Sequence, residues 1–301
     1  MQNGIPDTQY PILVTGAGGK TGRAIIRALI AKGATVRALL HRPEQVTSIQ
    51  DLGTLEIATG DMRDQAAMEQ AARGVQEIYH ICPNVSPDEV AIGQVVIAAA
   101  RSAGIERLVY HSVLHPQTEA MPHHWRKLRV EERLFESGLD YTILQPAAYM
   151  QNVLAQWDPM MEQGIYPVPY AIETRLGMVD LEDVAQAAAV VLTESGHVGA
   201  TYELAGPGVL SQAEAANILS QKLRRPVRAQ VMPLDEWERQ ARTGGMGDYA
   251  IETLLKMFRY YERYGFWGNP RVLTWLLGRS PTTFMAFVER IVRLGFGRGK
   301  S

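Results

Sequence analysis

The first half of the chain alternates short apolar runs with stretches whose apolar residues recur at helical spacing. Apolar runs that end at glycine, proline or charged residues predict strands at residues 11–15, 35–40, 55–59, 77–81, 107–113 and 141–145. Apolar positions three and four residues apart predict helices at residues 22–32, 44–52, 65–73, 88–103 and 123–137. Strands that alternate with helices are typical of βαβ units, so we expect an α/β fold with a doubly wound parallel sheet.

The rhythm changes after about residue 150. Short strands are predicted at residues 164–169, 201–204 and 227–232, and helices at 181–193 and 211–223. Ser211 followed by Glu214 predicts a capping box. From residue 234 onward the pattern is helical, with breaks at 244–245 and 268–270. We therefore expect one domain over residues 1–152, and a smaller α/β and then helical part over 153–301, interleaved with the first and contributing to a substrate cleft.

Composition excludes several classes of protein. The 301 residues carry 30 Lys and Arg against 32 Asp and Glu, so no basic surface for nucleic acid is expected. The single cysteine excludes an intramolecular disulfide and a cysteine-based metal cluster. His111, His115, His123 and His124 lack the converging spacing of zinc ligands, so no metal is expected. There is no signal-peptide pattern and no apolar run of about 18 residues, so we expect a cytoplasmic protein without membrane contact.

A glycine-rich turn joins the first strand to the first helix. It reads Gly16-Ala17-Gly18-Gly19-Lys20-Thr21-Gly22. Gly16 suits a tight turn, Gly19 lets the backbone approach a diphosphate, and Gly22 lets the helix pack close to the sheet. Free N–H groups at the helix N-terminus favour phosphate. The pattern predicts a Rossmann dinucleotide site formed by Gly16, Gly18, Gly19, Lys20, Thr21 and Gly22.

The end of the second strand indicates which nicotinamide cofactor is preferred. An acidic residue there would bind the ribose 2′-hydroxyl of NAD, but none occurs before Glu44. Arg42, helped by His41 or Arg37, can instead meet a 2′-phosphate, although Arg37 is more typical of a surface strand residue. Hydrogen bonds to charged groups contribute about 1.5–3 kcal/mol each, which favours NADPH over NADH by about one to two decades.

Several further motifs resemble the NmrA-like family of atypical short-chain dehydrogenase/reductases. They are Gly60-Asp61-Met62, Ile81-Cys82-Pro83, the stretch from Tyr141 through Pro146 to Asn152, and Met178 to Ala185. The resemblance covers about residues 10–225 and implies that Asp61 and Met62 reach the adenine. It further implies that Cys82 and Pro83 lie beside the adenine ribose and diphosphate, and that Pro146 lies near the cofactor. The family usually has Arg at the position of His41.

The usual catalytic pair of the wider superfamily, Tyr-x-x-x-Lys, is absent, because no lysine has a tyrosine four residues before it. Lys127 is preceded by His123 at that spacing, which places both on one helical face. The resemblance implies that Lys127 binds the nicotinamide ribose and that His123 takes the place of the tyrosine. A histidine can act as a general acid near neutral pH, and a water is the alternative donor. Ser112 lies at the end of the fifth strand, where ligands bind.

These observations predict an NADPH-dependent oxidoreductase that acts on a small, largely apolar substrate such as a quinone, carbonyl or enone. Tyr149, Asn152 and Trp157, after the sixth strand, are candidate substrate residues. Two alternatives stay open: a non-catalytic NADP(H)-sensing regulator, favoured by the missing tyrosine, and a sugar-nucleotide epimerase. A homodimer or a regulatory protein partner is compatible with each.

Overall fold

The computed structural model describes residues 10–53 and 55–295. The described residues form two compact units that interleave along the chain. The first unit contains the residues up to Glu119, together with His123–Gln145 and Val184–Tyr202. The second contains Ala120–Pro122, Pro146–Asp183 and the residues from Glu203 onward. The expected division into a domain over residues 1–152 and a second part over 153–301 stays a prediction.

Strands and helices alternate along the chain, most regularly in the first unit. Within the described residues the strands are β1 (Ile12–Val14), β2 (Val36–Leu40), β3 (Glu56–Thr59), β4 (Glu77–His80), β5 (Arg107–His111), β6 (Asp140–Pro146), β7 (Ala148–Tyr149), β8 (Ile165–Val168), β9 (Arg175–Val179), β10 (Ala200–Leu204), β11 (Val209–Ser211) and β12 (Arg228–Val231). The α-helices there are α1 (Lys20–Ala31), α2 (Gln65–Ala72), α3 (Glu89–Ser102), α4 (Pro122–Phe135), α5 (Trp157–Gln163), α6 (Leu181–Thr193), α7 (Gln212–Leu223), α8 (Leu234–Thr243), α9 (Asp248–Tyr264), α10 (Arg271–Leu277) and α11 (Phe284–Arg293). Two 3₁₀ helices span Pro43–Leu52 and Met150–Gln156. Among the described residues, no helix is both long enough and apolar enough to cross a lipid bilayer.

The main sheet has the order β10-β6-β5-β4-β1-β2-β3 in the described part of the chain. From β3 to β6 every neighbouring pair is parallel. The strand order reverses direction between β1 and β4, as it does in a doubly wound sheet, and ligands bind outside the carboxyl ends of strands at such a switch point. The predicted fold class is therefore confirmed.

The core of the first unit lies between the sheet and its helices. Leu13, Ile78, Leu108 and Ile143 are buried on successive strands and pack against apolar faces of α2, α3 and α4. A Cβ atom on Gly93 would lie 2.7 Å from a methyl of Val130, so the glycine lets α3 approach α4 closely. The first turns of these helices lie at the carboxyl edge of the sheet.

The second unit contains smaller sheets. β9 pairs antiparallel with β11 and parallel with β7, and β8 pairs parallel with β12. The predicted capping box is confirmed at the start of α7: Glu214 N donates to Ser211 Oγ at 3.1 Å, and Ser211 N donates to a Glu214 carboxylate oxygen at 2.7 Å.

Candidate functional site

The glycine-rich turn after β1 packs so closely against neighbouring backbone that two of its positions have no space for a side chain. Gly16 has φ of +61°, and a Cβ atom there would lie 2.9 Å from the carbonyl oxygen of Ile81. A Cβ atom on Gly22 would lie only 2.3 Å from the carbonyl oxygen of Gly16. Residues other than glycine therefore cannot keep this path of the backbone at these two positions.

The turn leads into the N-terminus of α1. Gly19 is the N-cap, and no side chain caps the helix within the described residues. A Cβ atom on Gly18 would lie 3.4 Å from Gln45 Nε2, and one on Gly19 would lie 3.3 Å from Gly16 O, so these positions are less crowded. Burial lowers the pKa of Lys20, the first residue of the helix. Backbone N–H groups at a helix start, together with the positive end of its dipole, suit a diphosphate.

Cationic side chains lie near the start of β2 and directly after its end, and they differ in what they contact. Arg37 is held within the protein: its guanidinium donates to Glu56 at 2.7 and 2.8 Å and to the carbonyl oxygens of Ala71 and Arg73 at 2.9 and 2.6 Å. His41 and Arg42 follow the strand and are exposed. The Arg37 guanidinium is thus occupied by acceptors of the protein, and the contact of His41 and Arg42 with a 2′-phosphate stays a prediction.

Asp61 lies in the loop after β3. The Arg63 guanidinium donates to its carboxylate at 2.7 Å, and these hydrogen bonds lower the pKa of Asp61 to about 2. His41 Nδ1 lies 4.0 Å from the same carboxylate. Met62 packs half-buried against the core of the first unit. The adenine contacts expected of Asp61 and Met62 stay predictions.

The end of β4 carries buried polar groups beside the glycine-rich turn. His80 Nδ1 is hydrogen-bonded to the Thr15 hydroxyl at 2.9 Å, while its Nε2 is buried without a partner. Burial lowers the pKa of His80 to about 4. Cys82 is buried, and both burial and the Glu89 carboxylate raise the pKa of its thiol, which disfavours the reactive thiolate. Pro83 follows and is exposed.

Lys127, on α4, lies at the carboxyl end of β5. Its ammonium donates to Glu89 Oε1 at 2.9 Å and to the carbonyl oxygen of His111 at 3.2 Å, and it lies 5.3 Å from the centre of the Tyr110 ring. Tyr110 donates its hydroxyl to the same oxygen of Glu89 at 2.7 Å. Burial by itself would raise the pKa of Glu89, but Lys127 and Tyr110 hold it below its ordinary value. Sequence reasoning missed Glu89, although an acidic residue that opens an otherwise apolar helix is a detectable signal.

His123 shares α4 with Lys127, as predicted, but its surroundings differ from those expected. Its Nδ1 is buried without a hydrogen-bond partner, and its ring meets that of His124 edge to face, with centroids 4.4 Å apart. Burial, and then the charge of Lys127, lower the pKa of His123 to about 4. The imidazole is therefore neutral near pH 7 and holds a single N–H proton.

Ser112 lies directly after β5 and is buried. Its hydroxyl donates to Glu131, and Gln145 Nε2 donates to both oxygens of that carboxylate at 2.9 and 3.0 Å. Burial raises the pKa of Glu131. In this arrangement the Ser112 proton is directed toward Glu131, and the predicted role of Ser112 as a site residue stays a prediction.

The remaining candidates belong to the second unit. Pro146 is buried at the end of β6, Tyr149 is half-buried in β7, and Asn152 is exposed in the 3₁₀ helix that follows. Trp157 begins α5 and is only 6% exposed, so most of its ring contacts protein. Their roles in binding cofactor and substrate stay predictions.

Metal ligands do not converge in the part of the chain that the structure describes. No group of three or more His, Cys, Asp or Glu side chains is arranged there to hold an ion. His80, His111 and His123 each have instead an imidazole whose pKa burial lowers.

The glycine-rich turn lies at the switch point of a doubly wound sheet. This combination defines a dinucleotide-binding α/β protein of the Rossmann type. The chain belongs to the NmrA-like family, whose model matches residues 8–287. This confirms the resemblance seen in the sequence motifs.

Characterised relatives cover nearly the whole chain. An NAD(P)H azoreductase of Xenophilus azovorans is 29% identical over 280 residues, covering 92% of this chain and 96% of the relative. Quinone oxidoreductase 2 of Escherichia coli is 26% identical and covers 93% of this chain and 98% of the relative. The crystal structure of the NADPH-dependent quinone oxidoreductase of Escherichia coli, complexed with NADPH, has a TM-score of 0.82 and 26% identity, and covers 93% of this chain and 99% of that chain.

Proposed function

We propose that the protein is an NADPH-dependent oxidoreductase that reduces a small, largely apolar acceptor of the quinone, carbonyl or enone class. The observation that carries the proposal is the Lys127 ammonium, held at the carboxyl end of β5 in a sheet whose glycine turn suits a diphosphate. Two relatives that match over 92% or more of this chain are an azoreductase and a quinone oxidoreductase, which supports a reductase of conjugated substrates.

The described residues fit a dinucleotide, because Gly16 and Gly22 keep the turn tight and the N-terminus of α1 after Gly19 has no side-chain cap. The amides at the start of α1 would hold the diphosphate. His41 and Arg42 would hold the 2′-phosphate that distinguishes NADPH from NADH. When bound, the nicotinamide supplies a hydride.

Lys127 would hold the nicotinamide ribose through hydrogen bonds from its ammonium. Two of its three N–H donors have acceptors in Glu89 and His111, so one donor remains for a ribose hydroxyl. A proton would come from the neutral imidazole of His123 or from water. Because the imidazole is already neutral at pH 7, we expect no loss of activity that tracks deprotonation of His123 between pH 6 and 8.

The test is oxidation of NADPH with a panel of quinones, azo dyes, aldehydes and enones. We expect turnover with at least one class of acceptor in the wild type, and a fall of about 100-fold or more in kcat in Lys127→Ala, since a misplaced reacting group costs about that much. Lys32→Ala is the matched control, because Lys32 is also paired with a glutamate, at 2.8 Å, but on an exposed surface. Tight binding of NADPH without turnover across the panel would contradict the proposal and favour the NADP(H) sensor.

A further inference from the structure

We propose that Glu89 is a positioning residue for Lys127: its buried carboxylate fixes the ammonium in the charged form with one N–H left to face the nicotinamide ribose. The inference rests on the proposed function for its last step, the contact with ribose. The placement of the ammonium itself depends only on this chain.

The first support is the geometry of the pair. Glu89 Oε1 lies 2.9 Å from Lys127 Nζ, and the two side chains are only 4% and 16% exposed. The carbonyl oxygen of His111, at 3.2 Å, is the other acceptor that the ammonium meets in the described part of the chain. Without the carboxylate, the ammonium would keep one neutral acceptor and the face of an aromatic ring, which stabilise a buried charge far less than an ion pair does.

The second support is that Glu89 is itself held in place. Tyr110 is fully buried on β5 and donates its hydroxyl to Glu89 Oε1 at 2.7 Å. Glu89 occupies the first turn of α3, whose close approach to α4 depends on Gly93. The carboxylate therefore cannot rotate away from Lys127 without losing a buried hydrogen bond. As a result, α3 and β5 together fix the position of the ammonium.

The third support is that the histidine, cysteine and tyrosine side chains facing this pair are neutral near pH 7, and that the other nearby carboxylate, Glu131, has different partners. Burial lowers the pKa of His80, on β4, to about 4, and that of His111, on β5, to about 3. Burial also raises the pKa of Cys82 and Tyr110. From α4, His123 is neutral and Glu131 is bound to Ser112 and Gln145. Glu89 is thus the anion in direct contact with the ammonium among the described residues.

The experiment compares Glu89→Gln with Glu77→Gln. Glutamine keeps the shape of the side chain and an acceptor for Tyr110 but removes the charge. Glu77 is the matched control, because it forms another buried ion pair, 2.7 Å from Arg107, on the same sheet. The first readout is the ¹³Cε signal of Lys127 in the lysine-labelled protein without NADPH, followed against pH. We expect Lys127 to titrate at least one pH unit lower in Glu89→Gln than in the wild type, and at the wild-type pH in Glu77→Gln.

The second readout is the pH profile of kcat. We expect the alkaline fall of kcat to begin at least one pH unit lower in Glu89→Gln than in the wild type, in step with the Lys127 titration, and kcat to recover toward lower pH as the lysine regains its proton. A residue with a merely structural role would lower kcat equally at all pH values. An unchanged Lys127 titration, or a loss that does not depend on pH, would overturn the proposal.

Turnover by the wild type tests the proposed function, and the Lys127 titration tests the role of Glu89 separately. If the wild type turns over no acceptor, the proposed function fails, while the Lys127 titration still decides whether Glu89 fixes the ammonium. If Glu89→Gln does not fold by circular dichroism, Glu89→Asp keeps the charge but shortens the reach by one carbon. We then expect a smaller shift of the same sign, and no shift would reject the role.

Discussion

At the scale of single residues, burial decides which side chains at the carboxyl edge of the sheet carry charge. Lys127 and Glu89 form an ion pair with each other. His80 and His111 are buried and His123 is half-buried, and burial lowers the pKa of all three imidazoles. A spacing of four residues could reveal that His123 and Lys127 share a helical face, but it could not reveal how deeply the imidazole lies.

Cys82 gives a direct measure of this burial, since it is the single cysteine of the chain. Burial and the Glu89 carboxylate raise the pKa of its thiol. We expect a disulfide reagent at pH 8 to modify the native protein more than about 100-fold more slowly than a free thiol, because the thiolate is the reactive form. In urea, one equivalent per chain reacts rapidly. Fast modification of protein that is still folded would show that the site is open.

Arg42 determines the preference for NADPH if it binds the 2′-phosphate. We expect Arg42→Glu to weaken NADPH binding by about 10- to 100-fold, from the loss of a charge-assisted hydrogen bond, and to favour NADH. The measurement is calorimetric titration with both cofactors. Arg101→Glu is the control, since it changes the charge equally but lies in the last turn of α3, at the other edge of the sheet. Unchanged NADPH affinity in Arg42→Glu would reject this role.

At the scale of elements, the sequence predicts the strands and helices whose apolar residues recur with a regular period, and it misses the shortest strands. The six predicted strands and the flanking helices of the first half occur within a few residues of their predicted positions. The segment Pro43–Leu52 forms a 3₁₀ helix, where Thr47 Oγ1 donates to the carbonyl oxygen of Glu44 and competes with regular pairing. β7 and β11 have two and three residues, too few to show alternation.

The strand β9 was missed for a different reason. Four of its five residues are buried, so its pattern does not alternate, and it contains Gly177. A Cβ atom there would lie 2.8 Å from Cβ of Trp267, 90 positions later in the chain. Similarly, the pairing of Glu89 with Lys127 joins residues 38 positions apart. Contacts of this kind depend on tertiary structure, so the local sequence around one residue does not identify its partner.

The glycine turn allows a test of close packing. In an ordinary helix, replacing glycine by alanine stabilises the fold by about 0.5–1 kcal/mol. In Gly22→Ala the new methyl would lie 2.3 Å from a backbone oxygen, so we expect the opposite sign, a loss of about 1–3 kcal/mol of unfolding free energy, with weaker NADPH binding. Urea unfolding and cofactor titration measure both.

Gly208→Ala is the control for this substitution, since a Cβ atom there meets nothing within 4 Å. We expect its stability to change by less than about 1 kcal/mol and its NADPH affinity to stay at the wild-type value. Equal effects of the two substitutions would contradict a steric role for Gly22.

At the scale of the whole molecule, the buried histidines make stability depend on pH. Their pKa values are lowered from 6.5 to about 4 in His80 and His123 and to about 3 in His111. Above about pH 7.5 the imidazoles are neutral in both the folded and the unfolded state and contribute no pH dependence. As the pH falls from 6.5 toward 4, the unfolded chain binds protons that the folded chain does not, so the folded state loses stability.

We expect this loss to be measurable through His123, whose Nδ1 has no hydrogen bond to break. In His123→Gln the fall in unfolding free energy between pH 6.5 and 4.5 becomes smaller by up to about 1.4 kcal/mol per pH unit. Glu77 and Glu131, whose pKa values burial raises, act in the opposite direction in both proteins and cancel in the comparison. His41→Gln, at an exposed histidine, is the control. Parallel pH curves for wild type and His123→Gln would contradict the prediction.

The path of the chain through its two units restricts how relatives can be recombined. The first unit is completed by Val184–Tyr202, where the carbonyl oxygen of His197 accepts the Thr142 hydroxyl at 2.7 Å and Gly199 N donates to Tyr141 O at 2.7 Å. A chimaera with a single crossover near residue 150 would therefore pair β6 with a foreign edge. Exchanging the second unit between two family members requires crossovers on both sides of Val184–Tyr202, so that this segment stays with its parental sheet.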